Sequence, residues 1–267
     1  MSREAAVSAM LRGLSPPPPQ AMRNLVLQAL ETYSDRQVAR FTAFGLRIWP
    51  NTAQGGSMLP PEFVGLDDAQ VLRTRARYYP PMRTVFIDAM HVELGVLWHE
   101  LAHAWDDAQN DRGRTLRPLD SIPAAQRRQI YQAILAQRRP VMFSQTARFL
   151  VRSGGRNRHL SLDDMLAIYR ENLGRRTEFV FDLTNSYKQS LSNAQEFYAE
   201  GRTVFFSRSA PSAQARMLHF APELFQVFEQ EARRERLAVP DRNCIQQLFP
   251  PSATGGLPFC SPVTPNP

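Results

Sequence analysis

Between Val92 and Gln109 apolar residues recur at helical spacing, and the middle of that helix reads His99-Glu100-Leu101-Ala102-His103. Residues four apart lie one turn apart on the same helix face. Both imidazoles can therefore reach a single ion while Glu100 sits beside them. The flanking Val96, Leu97, Trp98, Leu101, Ala102, Ala104 and Trp105 call for a buried helix, so the chain must supply both a surface to cover it and a further ligand from elsewhere. This geometry suits Zn²⁺, which takes three protein ligands at a catalytic site and leaves one position open to water. Glu100 would then be the general base. The plainer alternative treats His91, His99 and His103 as ordinary polar residues of a half-buried helix. His91, eight residues before His99, fits that description best, and His159 and His219 carry no motif.

The surroundings predict an α+β chain. Arg83–Asp88 reads as a strand after Pro80-Pro81, so strand, short loop and helix follow in order. Phe41–Trp49 is aromatic and β-branched enough for another strand, stopped by Pro50 and the loop Asn51–Pro61. A short helix is expected over Asn24–Tyr33, after the run Pro16–Pro19. From Ser121 to Gly174 the pattern is helical, with Ser161 and Asp164 as a start signal and Gly174 as a stop. Ser192 and Gln195 form a second capping box that puts Asn193–Phe206 on a helix, and another helix runs from Pro222 to about Leu237. Three regions result: an arm with a short helix (1–35), a main domain (36–238) with a basic helical insertion (121–180), and a Pro-rich, loop-like tail (239–267).

The charge is segregated. The segment Ser121–Val180 holds eleven arginines against Asp163, Asp164, Glu171 and Glu178, an excess equal to the whole chain's net charge of +7. Such a surface can attract an acidic partner, nucleic acid or an anionic membrane, and the plainer alternative is a solvated helical face. Nucleic acid is not expected, because no aromatic-interleaved binding motif accompanies the charge. No uncharged apolar run approaches the roughly 18–20 residues of a membrane helix, so no integral membrane segment is expected. Met1–Leu14 is interrupted by Glu4 and Arg12 and does not read as a cleaved signal. Cys244 and Cys260 lie in the tail, where a bridge and two free thiols are equally consistent with the spacing.

A third ligand is most readily found in Asn193-Ala194-Gln195-Glu196-Phe197-Tyr198-Ala199-Glu200. Glu196 and Glu200 stand one turn apart, so one can bind zinc while the other accepts a hydrogen bond from a ligand histidine. Asp106, three residues after His103 and seven after His99, stays on the metal-facing side and could orient a ligand.

The run Glu196–Glu200 (EFYAE), continuing through Ala221-Pro222-Glu223-Leu224-Phe225-Gln226, resembles the zinc-binding helix and following helix of the anthrax lethal factor-like zinc metallopeptidases, which pair an H-E-x-x-H helix with a glutamate opening an E-F-F-A-E-type stretch. The resemblance implies a zincin-like fold in which a small mixed sheet packs on the H-E-x-x-H helix and the remainder is mainly helical. It also implies zinc ligands His99, His103 and Glu196, with Glu100 as base and Glu200 behind the ligands. A tyrosine shortly before the ligand glutamate stabilises the oxyanion in that family; Tyr187 is the nearest here and would take that catalytic role, although it lies about two residues further upstream and Gln189 occupies the matching place. The arginine-rich stretch makes the gap between His103 and Glu196 longer than in the family.

The expected activity is that of a zinc endopeptidase acting on a protein or peptide substrate, in the setting of a secreted bacterial effector or toxin delivered without a cleaved signal. Of 32 basic residues only Lys188 is lysine, which GC-rich coding explains most simply, although lysine avoidance would also suit that setting. A cytoplasmic housekeeping peptidase would carry the same residues. The rival class is a non-catalytic, zinc-stabilised module that engages an acidic partner through its basic surface.

Overall fold

The computed structural model describes residues 2–12, 18–51, 76–88, 93–110, 123, 126, 129, 141–176, 180, 181 and 191–248. It is α+β and falls into two compact units, Met1–Met142 and Phe143–Pro267.

The first unit begins with α1 (Arg3–Met10), α2 (Gln20–Leu30) and α3 (Asp35–Phe44). Helix α3 corrects the expectation of a strand over Phe41–Trp49. Ser34 and Gln37 close a capping box at its start, Val38, Phe41 and Phe44 are buried at helical spacing, and Gly45 ends it in the left-handed region at φ 79°. Only the second half of that stretch is extended, as β1 (Arg47–Asn51). β2 (Ala76–Tyr79) leads through a tight turn at Pro80–Met82 into β3 (Thr84–Asp88). The sheet is mixed, in the order β1-β3-β2: β1 runs parallel to β3 with Ile48 opposite Val85, and β2 runs antiparallel to it with Tyr78 opposite Val85. A central strand is covered on both faces, which is why Thr84, Val85, Phe86 and Ile87 are all buried. Each large apolar side chain so buried contributes about 1.5–3 kcal/mol.

Helix α4 (Leu94–Asn110) carries the H-E-x-x-H sequence and packs on β2, β3, α2 and α3. Trp105 is its anchor. Its ring meets Phe41 at 5.6 Å and Tyr33 at 6.4 Å, both edge-on, an arrangement that adds about 0.5–1.5 kcal/mol per pair beyond burial. At the far end the Arg40 guanidinium donates twice to the Ala108 carbonyl, at 3.1 and 2.9 Å, satisfying an acceptor that the last helical turn leaves open.

The second unit opens with the single turn α5 (Phe143–Thr146) and the hairpin β4 (Arg148–Ser153) and β5 (Arg156–Ser161). This hairpin corrects the helical expectation for Ser121–Gly174. Arginine suits helices, but Gly154 and Gly155, at φ 57° and 80°, form a two-residue turn whose twist matches paired strands. Helix α6 (Leu162–Leu173) follows with the anticipated capping box between Ser161 and Asp164, and Gly174 stops it.

Helix α7 (Ala194–Phe206) is buried almost all round, as the central helix of a bundle must be. Its N-cap is Asn193, whose side chain accepts from the Glu196 N–H, rather than the expected Ser192. α8 (Pro211–Phe220) seals the other end: the buried Gln214 carboxamide donates to the carbonyls of Val204, Phe205 and Ser207 at 3.2, 3.0 and 2.7 Å. α9 (Pro222–Glu235) crosses α7 closely and holds Glu231, which pairs at 3.3 Å with the buried Arg202. The tail is not wholly irregular, since Asp241 caps α10 (Arg242–Gln247). Cys244 in α10 is disulfide-bonded, and Cys260 lies outside the described residues.

Candidate metal centre

The register of α4 turns His99 and His103 toward each other. Their Nε2 atoms are 3.1 Å apart and their rings stand at 82°. Two imidazole nitrogens at that distance either share one proton or direct both lone pairs at a common ion. A tetrahedron of roughly 2.0 Å bonds has edges of ~3.3 Å, so the spacing suits two ligands of one zinc. His99 is buried and His103 half-buried.

Glu196 occupies the first turn of α7. The cap is responsible for its placement, because the Asn193 side chain accepts from the Glu196 N–H at 3.0 Å and fixes where the helix starts. One ligand atom from each of His99, His103 and Glu196 lies within 4.8 Å of the other two, so this group could hold a metal ion. Two imidazoles and a carboxylate are a donor set that zinc accepts, and together they leave a fourth position free. Glu200, one turn further on, is fully buried.

Glu100 points to the sheet. Its Oε2 accepts a hydrogen bond from the Tyr78 N–H of β2, and its other oxygen has no protein partner among the described residues. The same tyrosine reaches two turns along α4, where its hydroxyl donates to Asp107 Oδ2 at 2.6 Å. Burial raises the Tyr78 hydroxyl pKa well above its usual value, and the charge and hydrogen bond of Asp107 add to the rise. Asp107 is thus held by Tyr78, while Asp106 is completely buried.

Tyr78 was missed by sequence reasoning. The signal was β-propensity: two tyrosines precede Pro80-Pro81 and a strong strand, a hairpin-like order. Tyr187 and His91 lie outside the described residues. His159 is exposed on β5 and His219 sits on α8, apart from this group. No helix among the described residues is long and apolar enough to cross a membrane.

No protein-family model, curated protein or solved structure matches this chain.

Proposed function

We propose that the chain is a zinc metallopeptidase of lethal factor-like type, with a zincin-like fold, acting on a protein substrate as a delivered bacterial effector. The observation that carries the chemistry is the grouping of His99, His103 and Glu196 with Glu100 alongside. Zinc, when bound, supplies the Lewis acidity that polarises a scissile carbonyl and makes water a competent nucleophile near neutral pH.

The protein's own contribution is placement. His99 and His103, whose Nε2 atoms face each other, would hold the ion. Glu196 supplies the anionic ligand, and Glu200 accepts a hydrogen bond that orients a histidine. Tyr78 holds one oxygen of Glu100, and the other takes the proton of the attacking water and passes it to the leaving amine. Among the described residues β2 is an edge strand beside α4, and although Glu100 takes its Tyr78 N–H, an extended peptide can pair with the outward main-chain groups that remain.

The test is metal analysis of the purified chain with a peptide-library cleavage screen. About one zinc per chain is expected, and Glu100→Gln should keep it while losing at least about a hundredfold in turnover. Stoichiometric zinc in the His99→Ala, His103→Ala double variant would sink the assignment. Zinc without any cleavage would favour the non-catalytic binding module.

A further inference from the structure

The hairpin β4–β5 treats its two outer edges differently. Its two-residue turn makes Ser153–Arg156 a hydrogen-bonded pair, and bonded and non-bonded pairs alternate from there. The main-chain groups of Leu150 and Arg152 therefore face outward on β4, and those of Asn157 and His159 face outward on β5. On β4 that edge is filled. Gln226 accepts from the Arg152 N–H at 2.9 Å and donates to its carbonyl at 3.0 Å, and Gln230 donates to the Leu150 carbonyl at 2.9 Å. Two glutamines one turn apart on α9 stand in for a neighbouring strand.

On β5 no described residue takes that place. Among the described residues the outward groups of Asn157 and His159 have no partner, and residues 156–159 are all exposed. The edge is strongly basic. The hairpin carries Arg148, Arg152, Arg156 and Arg158 and no carboxylate. Asp164, at the start of α6, is held by Ser161 and lies 3.7 Å from Arg148, and it feels the charge of Arg158, but among the described residues Arg156 and Arg158 form no ion pair. A like-charged edge repels a second copy of itself, which is how proteins keep open strands from self-pairing. It remains open to a strand of opposite charge.

We infer that β5 is a docking edge for an acidic, extended segment of a protein partner, which adds to the hairpin as a third strand through the main-chain groups of Asn157 and His159, with carboxylates at every second residue meeting Arg156 and Arg158. Side chains two apart on a strand share a face and repeat every ~6.6 Å, so alternating acids match these arginines. No residue of this edge belongs to the metal group. The hairpin gathers four of the eleven arginines of Ser121–Val180 on a surface whose shape, and not only its sign, selects a partner.

The test is fluorescence polarisation on the full chain with a labelled decapeptide of alternating glutamate and threonine. Three competitors accompany it: the lysine-for-glutamate peptide, a copy N-methylated at every residue so that neither edge can donate, and a decamer of oligothymidylate. The glutamate peptide should bind, Arg156→Glu with Arg158→Glu should weaken it at least about tenfold, and salt should weaken it further. Asn157→Pro removes an outward N–H without touching the β4 ladder, so it should also cost at least about tenfold, as should N-methylation. The N-methylated copy decides the matter even if the proline variant does not fold. Bound peptide should slow hydrogen exchange at the Asn157 and His159 amides. Equal binding of the N-methylated copy, unchanged exchange at those amides, no binding of the glutamate peptide, or tighter binding of oligothymidylate would each overturn strand addition.

Discussion

Replacing Gly201 with alanine sets two effects against each other at a position between the carboxylates of α7 and its crossing with α9. A Cβ at Gly201 would lie 2.5 Å from Leu224 Cδ2, 3.0 Å from Phe228 Cε2 and 3.2 Å from Leu224 Cγ. Carbon contacts settle at about 3.5–4.0 Å, so Leu224 must retreat by roughly 1 Å. It has nowhere to go. Leu224 and Phe228 are both fully buried, and Phe228 is packed against Tyr198 and Phe205 at 5.3 and 5.9 Å between ring centroids. Overpacking of this kind costs about 1–3 kcal/mol, whereas alanine in place of glycine within a helix gains about 1 kcal/mol. Packing wins by a net ~1 kcal/mol. In urea, monitored by far-ultraviolet circular dichroism, the midpoint should fall by roughly 0.5 M for a slope near 2 kcal/mol/M. Leu224→Val removes the clashing methyl and costs something alone, yet in the double variant it should relieve the strain, giving a favourable coupling of about 1 kcal/mol. A raised midpoint for Gly201→Ala, or strict additivity in the double variant, would show that the two helices separate freely and refute the reasoning.

Two further outcomes are expected. In a chelator competition titration, Glu196→Ala should lose zinc severely, while Glu200→Ala should change affinity by roughly ten- to hundredfold; the reverse order would move the third ligand one turn along α7. Tyr78→Phe removes a buried hydrogen bond to a carboxylate, so unfolding should show a loss of about 1.5–3 kcal/mol. Because the Tyr78 pKa is raised in the folded chain, its contribution is fully present below the ordinary tyrosine value near ~10 and fades as pH rises beyond it. The phenylalanine variant should accordingly lose less stability between neutral and strongly alkaline pH than the native chain, and an identical alkaline slope would argue against that hydrogen bond.

Local signals carried the elements whose reasons are local. The helix around His99 and His103, the strand at Thr84–Asp88, the Ser161 capping box and the helix beginning at Pro222 were legible because periodicity, caps and proline act within a few residues. Where two local signals competed, composition misled. The aromatic run after Phe41 belongs half to a helix, since the capping box at Ser34 starts it and Gly45 ends it, and the arginines around Gly154-Gly155 belong to strands. Other features have no local cause. That Tyr78 ties Glu100 to β2 and Asp107 to the same tyrosine depends on where a sheet edge meets α4. That Gln226 and Gln230 close one side of the hairpin depends on how α9 lies along β4. Spacing along the chain can nominate Glu196 and Glu200, but that Glu196 and both imidazoles form a group that could hold an ion is a matter of distance in space, which nearly a hundred intervening residues hide from the sequence.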